Sequence, residues 1–242
     1  MEVVRSARNP RLRRVRALAR ASERQEQGLF VVEGEDLVRA ALAANAVEDL
    51  LVREGVEPPA EAMVVAGDVL DAASGRGSGS RMLAVVRTDA LPAAPTALTG
   101  VGLVLCGVGD PGNVGTLLRT AAAFGAEVVV LHGACADPTG PKAVQAAMGA
   151  TFVVPTLAAD DAYPDARLVA LDGNADTDIA DVDLRGPVLI ALGAEREGLP
   201  AAIRSRADVV CRIPQTKRAE SLNVAAAGAI ALAQAYRGAA HG

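Results

Sequence analysis

The chain has 242 residues, of which 51% are hydrophobic and 2% aromatic, with no tryptophan. That length and apolar content suit one large domain or two modest ones around a sizeable core, and they exclude the disordered and fibrous classes. Three widely spaced cysteines (Cys106, Cys135, Cys211) and only two histidines (His132, His241) exclude a disulfide framework and a zinc ribbon, so no metal is expected. No apolar run approaches the ~18–20 residues of a membrane helix. The N-terminus is too charged for the apolar core of a secretory signal. The expected setting is the cytoplasm, with reduced thiols.

The formal net charge is −5, but it is unevenly spread. Residues 1–20 hold seven arginines (Arg5, Arg8, Arg11, Arg13, Arg14, Arg16, Arg20) against one acid, Glu2, and the rest of the chain is acidic. A basic stretch on an acidic body points to contact with phosphate.

In chain order, the first half predicts a helix over 10–25, a strand over 29–33 and a helix over 35–44. Strands at 48–52 and 63–66, a helix at 67–74 and a strand at 82–87 follow, with a Gly/Ser loop over 75–80. The Pro- and Ala-rich stretch 88–99 carries one charge and reads as a linker. The boundaries expected are 1–90, a link at 91–99, and 100–242. The second half alternates more strictly: strands at 101–108, 127–132, 152–154, 167–171, 188–193 and 208–213, helices at 114–124, 141–149, 200–206 and 222–237. Its strands are continuous apolar runs such as VGLVLCGV and PVLIALG. That pattern marks strands buried on both faces, hence an α/β fold with a parallel sheet and a smaller N-terminal α/β unit. Ligands of such sheets sit at the carboxyl ends of the strands, which singles out loops 107–113, 172–178, 193–199 and 213–221.

The first of these loops, Gly107-Val-Gly-Asp-Pro-Gly112, matches GxGxxG between a strand and a helix. Taken alone it suggests a nicotinamide-dependent oxidoreductase. Two features oppose that reading: Pro111 has no amide to give a pyrophosphate, and no acid ends the next strand. Asn113 reads instead as the N-cap of the following helix, with Arg119 off its apolar stripe. A carboxylate, Glu195, directly follows a buried strand, where it is costly unless partnered. Ser221 can cap the last helix, and Asn223 in a first helical turn suggests a tertiary role.

Taken together, Asn113-x-Gly115-x-x-x-Arg119, Gly193-x-Glu195-x-x-Gly198-Leu199 and Ile213-Pro214…Ser221-Leu222-Asn223-Val224 resemble the three motifs of the SpoU/TrmH family. These are S-adenosylmethionine-dependent RNA 2′-O-ribose methyltransferases of the SPOUT class. Asn9-Pro10, Arg24 and Phe30-Val-Val-Glu33-Gly34 resemble that family's RNA-binding extension. The resemblance implies a deep trefoil knot in the C-terminal α/β domain, an N-terminal substrate domain and a homodimer with its site at the subunit interface. It implies cofactor contacts at Leu171, Gly193, Ile213 and Leu222, and catalytic roles for Asn113, Arg119, Glu195, Ser221 and Asn223. Arg119 would act as general base or, since a guanidinium stays charged, as a phosphate clamp. Arg8, Arg11, Arg13, Arg14 and Arg24 become candidate RNA contacts. Ribosomal RNA is expected over transfer RNA, because the N-terminal extension resembles that of rRNA-directed members. The chain departs from the family's usual residues at Ala194, Arg196, Gln145, Ala147 and Thr216-Lys217, positions that bear on substrate contacts. An RNA-binding member that has lost catalysis is the third reading.

Overall fold

The computed structural model describes residues 2–59, 61–74, 79–159, 163–194, 196–216, 218 and 221–240. The first half runs α1 (Pro10–Ala17), α2 (Ala21–Gln27), β1 (Leu29–Glu33), α3 (Glu35–Ala43), β2 (Val47–Arg53), β3 (Met63–Val65), α4 (Gly67–Ser74) and β4 (Met82–Arg87). Its strands lie in the order β1-β4-β2-β3; β4 is antiparallel to β1 and β2, and β3 runs parallel to β2. Alternation along each strand gives this sheet two apolar faces. Leu12 and Val15 of α1, with Leu18 just beyond its end, pack with Leu70 and Ala73 of α4 on one face. Leu37, Val38 and Ala41 of α3 cover the other, around Phe30 and Val32.

The second half continues with β5 (Val101–Cys106), α5 (Pro111–Ala123), β6 (Val129–His132), α6 (Pro141–Ala147), β7 (Thr156–Ala158), β8 (Arg167–Leu171) and β9 (Thr177–Asp178). It closes with β10 (Val188–Gly193), α7 (Ala201–Arg206), β11 (Val209–Arg212) and α8 (Val224–Ala240). Seven strands form one parallel sheet in the order β7-β6-β5-β10-β8-β11-β9. One face buries Leu103, Leu105, Ile190 and Leu192 under α5 and α8; the other buries Val104, Val130 and Leu189 beside Ile203 of α7. Close helix packing depends on small residues. A Cβ on Gly115 of α5 would lie 2.2 Å from the Ala143 carbonyl oxygen of α6, and one on Gly228 of α8 would lie 2.3 Å from a Leu117 methyl. The three thiols are free, and burial pushes Cys106 up to about 12 and Cys211 up to about 11.

The elements differ from the sequence expectation in four places. The single helix expected over 10–25 is two, because the chain leaves helical geometry at the extended Arg20; the Arg24 side chain folds back onto the carbonyls of Leu18 and Ala19. The strand expected at 152–154 is a 3-10 turn at Ala150–Phe152, and the strand forms beyond Pro155, at β7. The two-residue β9 has no apolar run to announce it. The 91–99 stretch is packed down: Leu98 is buried against the second sheet, and Asp165 donates its amide to the Thr96 carbonyl. The halves also interlock. Val144 of α6 completes the α3 face of the first sheet, and the rings of Phe30 and Phe152 stack with centroids 6.3 Å apart.

Candidate active site

Because the second sheet is parallel, the loops after β5, β8, β10 and β11 emerge on one rim. Those after β8, β10 and β11 wall a cleft of about 510 Å³, a size typical of small-molecule sites. Leu171, Gly193, Ile213, Leu222 and Ser221 all line it, so residues distant in sequence meet at one place. Gly193 is required there: a Cβ would lie 2.2 Å from the backbone carbon of Gly198. The loop doubles back on itself through an Ala194–Gly198 bridge, with the Gly198 amide donating to the Ala194 carbonyl at 2.9 Å and Gly198 at φ 68°. That positive φ favours glycine. The candidate Glu195 lies outside the described residues, as does Lys217.

A second hollow of about 450 Å³ adjoins the first, sharing Ala194, Arg196 and Glu197 with it and adding Asp110 and Asn113. Here the local structure corrects two readings. Asn113 is not the N-cap of α5; Asp110 is, its carboxylate accepting the Asn113 amide at 2.8 Å, with Pro111 in the first turn. Nor is Ser221 placed to cap α8. Asn223 does so, its Oδ1 accepting the amides of Ala225 at 2.9 Å and Ala226 at 3.3 Å. The same side chain donates through Nδ2 to Oδ1 of Asn113 at 3.1 Å, across 110 residues. One amide thus caps a helix and ties it to the start of another.

Arg119 is exposed on α5 and is not among the described residues that line either hollow. Sequence reasoning flagged the 172–178 loop without naming the residues that matter. Asp172 and Gln215 face the cleft, and Asp172 accepts the Asn174 amide at 2.8 Å while pairing with Arg204 of α7.

The candidate RNA arginines separate into three kinds. Arg8 and Arg13 are exposed and, among the described residues, make no ion pair. Arg11 pairs with Asp49 at 3.1 Å and Arg14 with Glu48 at 2.6 Å, so acids of β2 offset both. Arg24 is only 6% exposed and bonds to Asp137 and to backbone carbonyls; this buried guanidinium is no solvent-facing RNA contact.

What the cleft can hold follows from its walls. Leu171, Leu199, Ile213 and Leu222 offer apolar surface, while Gly173 and Gly193 let backbone approach a ligand closely. Such a cradle fits a nucleoside-based cofactor gripped by main chain. By contrast, the Asp110 carboxylate stands at the N-terminus of α5, where a dinucleotide's pyrophosphate would have to sit.

The SpoU rRNA Methylase family matches residues 100–233, and an MRM3-like substrate binding domain matches residues 9–76. The chain belongs to the SpoU rRNA methylase family. A 23S rRNA (guanosine(2553)-2′-O)-methyltransferase of Bacillus subtilis is 30% identical over 95% of this chain and 97% of its own length. The AdoMet-bound rRNA methyltransferase of Sinorhizobium meliloti superposes with a TM-score of 0.87 at 29% identity, covering 98% of this chain and 97% of the other. The SpoU methyltransferase AviRb from Streptomyces viridochromogenes, also solved with AdoMet, gives 0.84 at 27% identity over 95% and 98%. The cofactor of this SpoU member is S-adenosylmethionine, and the oxidoreductase reading of the glycine-rich loop finds no support.

Proposed function

We propose that the protein transfers a methyl group from S-adenosylmethionine to a ribose 2′-hydroxyl of large-subunit ribosomal RNA. The observation that carries this reading is the meeting of Leu171, Gly193, Ile213 and Leu222 around one cleft, with the Asn113–Asn223 bond at the edge of the adjoining hollow. When bound, the cofactor supplies an electrophilic methyl on a sulfonium. Gly193 and the aliphatic side chains of the cleft would hold it, and Ser221 lines the same cleft. Asn113 and Asn223 orient the ribose, and Glu195 is assigned to hold Arg119 or the facing subunit. Arg119 is read as a clamp on the phosphate beside the target nucleotide, because a guanidinium keeps its charge near neutrality. The 2′-hydroxyl is what distinguishes RNA from DNA at such a site. Residues 1–90 are read as the RNA-binding unit, 91–99 as the link and 100–242 as the methyl-transfer unit, working in the cytoplasm.

The working form is read as a homodimer. Support comes from the exposed Arg119, which is not among the described residues that line its own cleft, and from α8, which exposes Ile230 and Tyr236 beside α5, the Phe124 and Tyr236 rings lying 5.9 Å apart. A second copy seated on this face would deliver Arg119 across the interface. The trefoil knot is carried over from the family resemblance; the return of α8 from β11 to pack against β5 and β10 is compatible with it.

Two experiments test these readings. Ribose methylation is mapped across ribosomal RNA from cells with and without the gene. Loss of one 2′-O-methyl mark is expected, and an unchanged map together with transfer to tRNA by the purified protein would overturn the substrate. Mixing Arg119→Ala chains with Gly193→Ala chains, at a cofactor concentration too low to load the Gly193→Ala cleft, regenerates one complete site per mixed dimer if Arg119 acts across the interface; no recovery would place it in its own subunit.

A further inference from the structure

Arg24 is the one arginine among the buried polar side chains of the described residues. A guanidinium taken out of water must be fully partnered, and every partner here joins separate parts of the fold. Nη1 donates to the carbonyls of Leu18 and Ala19, both at 2.9 Å, where α1 ends. Nε and Nη2 donate to one oxygen of Asp137 at 3.1 and 2.6 Å, 113 residues away in the methyltransferase half. The other Asp137 oxygen accepts the Thr139 amide at 2.8 Å and its hydroxyl at 2.6 Å. Burial alone would push the Asp137 carboxyl up; the bonds from Thr139 and Arg24 outweigh it and hold it below the usual carboxylate range.

Asp137 also belongs to the loop that steadies the reacting end. The Ala136 amide donates to the Val108 carbonyl at 2.9 Å, and the Cys135 thiol to the Leu105 carbonyl at 3.1 Å. Val108 leads directly to Asp110, which caps α5 and holds the Asn113 amide. A continuous set of bonds therefore runs from the arginine-bearing α1, through Arg24 and Asp137, to Asn113.

We infer that the Arg24–Asp137 pair is a positioning device that fixes the span between the phosphate-facing helix and the ribose-facing asparagines, and so selects which nucleotide of a bound RNA is presented for transfer. This rests on the proposed function. A pair that merely glued the halves together would, when broken, lower stability, cofactor affinity and turnover alike. A pair that sets a span leaves the cofactor cleft, built from other loops, untouched.

The test uses the full chain with Asp137→Asn, which keeps the shape and the Thr139 bonds but removes the charge, and Arg24→Lys, which restores a cation at reduced geometry. The acceptor is deproteinised large-subunit rRNA from cells lacking the gene. Asp137→Asn should raise KM for that RNA about tenfold and spread methylation to neighbouring riboses. Affinity for S-adenosylhomocysteine should stay within about twofold of the unsubstituted chain, because the loops of the cofactor cleft carry none of the broken bonds. Arg24→Lys should lie between the two. A second readout needs no RNA: spin labels at Arg13→Cys on α1 and Thr116→Cys on α5, in a Cys135→Ser background that keeps the donor to Leu105. One narrow distance distribution is expected with Asp137 intact and a broad one with Asp137→Asn. An unchanged distribution overturns the inference, as does a parallel loss of cofactor affinity and turnover without a change in KM. If the unsubstituted chain transfers nothing to this RNA, the substrate reading fails by itself and the distance distribution decides the inference.

Discussion

The cleft on the rim of the seven-stranded sheet combines glycine backbone and aliphatic side chains with polar ones such as Asp172 and Gln215, whereas the outer face of α1 in the first half is made of arginines. The first recognises a ligand by shape and close main-chain approach, so single side chains there act by what they exclude. The second recognises phosphate by charge, so its residues act by what remains unpaired. Substitutions should therefore behave differently in the two regions: abruptly around the cleft, gradually along α1.

The largest effect is expected where the two modes meet. Arg119 is a charge that must reach the shape-built cleft. Arg119→Ala should lower kcat by about 10²-fold, the order expected when a group that orients the substrate for attack is lost. Affinity for S-adenosylhomocysteine, measured by calorimetry, should hold, because Arg119 lines neither hollow. A matching loss of cofactor affinity would place Arg119 in the cofactor site and erase the distinction. Gly193→Ala comes next and acts on the cleft alone. Its methyl would meet the Gly198 backbone, and overpacking of this kind costs ~1–3 kcal/mol. Cofactor affinity should fall about tenfold or more, with RNA binding unchanged in a filter assay.

Asn223 sharpens the comparison, because it serves both structure and site. Asn223→Asp keeps the acceptor that caps α8, and a carboxylate there suits the helix dipole. It loses the donor to Asn113. Thermal stability should hold while kcat drops several-fold, roughly the effect of one misoriented group. Asn223→Ala should lose the cap as well, at about 1 kcal/mol. Equal activity of Asn223→Asp and the unsubstituted chain would make the Asn113 bond incidental.

The same contrast explains what could be read from the sequence. The apolar runs 101–108 and 188–193 announced the parallel sheet, since strands buried on both faces admit little else, and the loops of the cleft follow from parallel order. Gly193 was singled out by the resemblance of its motif, and a glycine suits the close backbone approach found there. Asn223 was legible only as a residue with a tertiary role; its partner was not, because the bond to Asn113 joins residues 110 positions apart. The arginines were legible only as a count. Nothing local distinguishes Arg13, which faces solvent, from Arg14, which faces Glu48, or from Arg24, which is buried against Asp137. Pairing is a property of the packed sheet. The same limit applies to the break between α1 and α2, whose free carbonyls are met by a side chain of α2.

The smallest effect tests that sorting of charges. Removing residues 1–20 outright is a poor probe, because Leu12, Val15 and Leu18 are part of the core and the first half would lose a layer. Point changes avoid this. Arg8→Ala with Arg13→Ala removes two exposed cations that make no ion pair among the described residues. Two lost phosphate contacts should flatten the slope of log affinity against log salt by roughly 1.4–1.8 and leave the melting temperature alone. Arg11→Ala with Arg14→Ala should change the slope less, because both cations are already offset by Asp49 and Glu48. It should instead lower the melting temperature, because Asp49 is only 8% exposed and would lose its partner. The reverse ranking would mean that the β2 acids release their arginines when RNA arrives, making α1 a surface that recharges on binding.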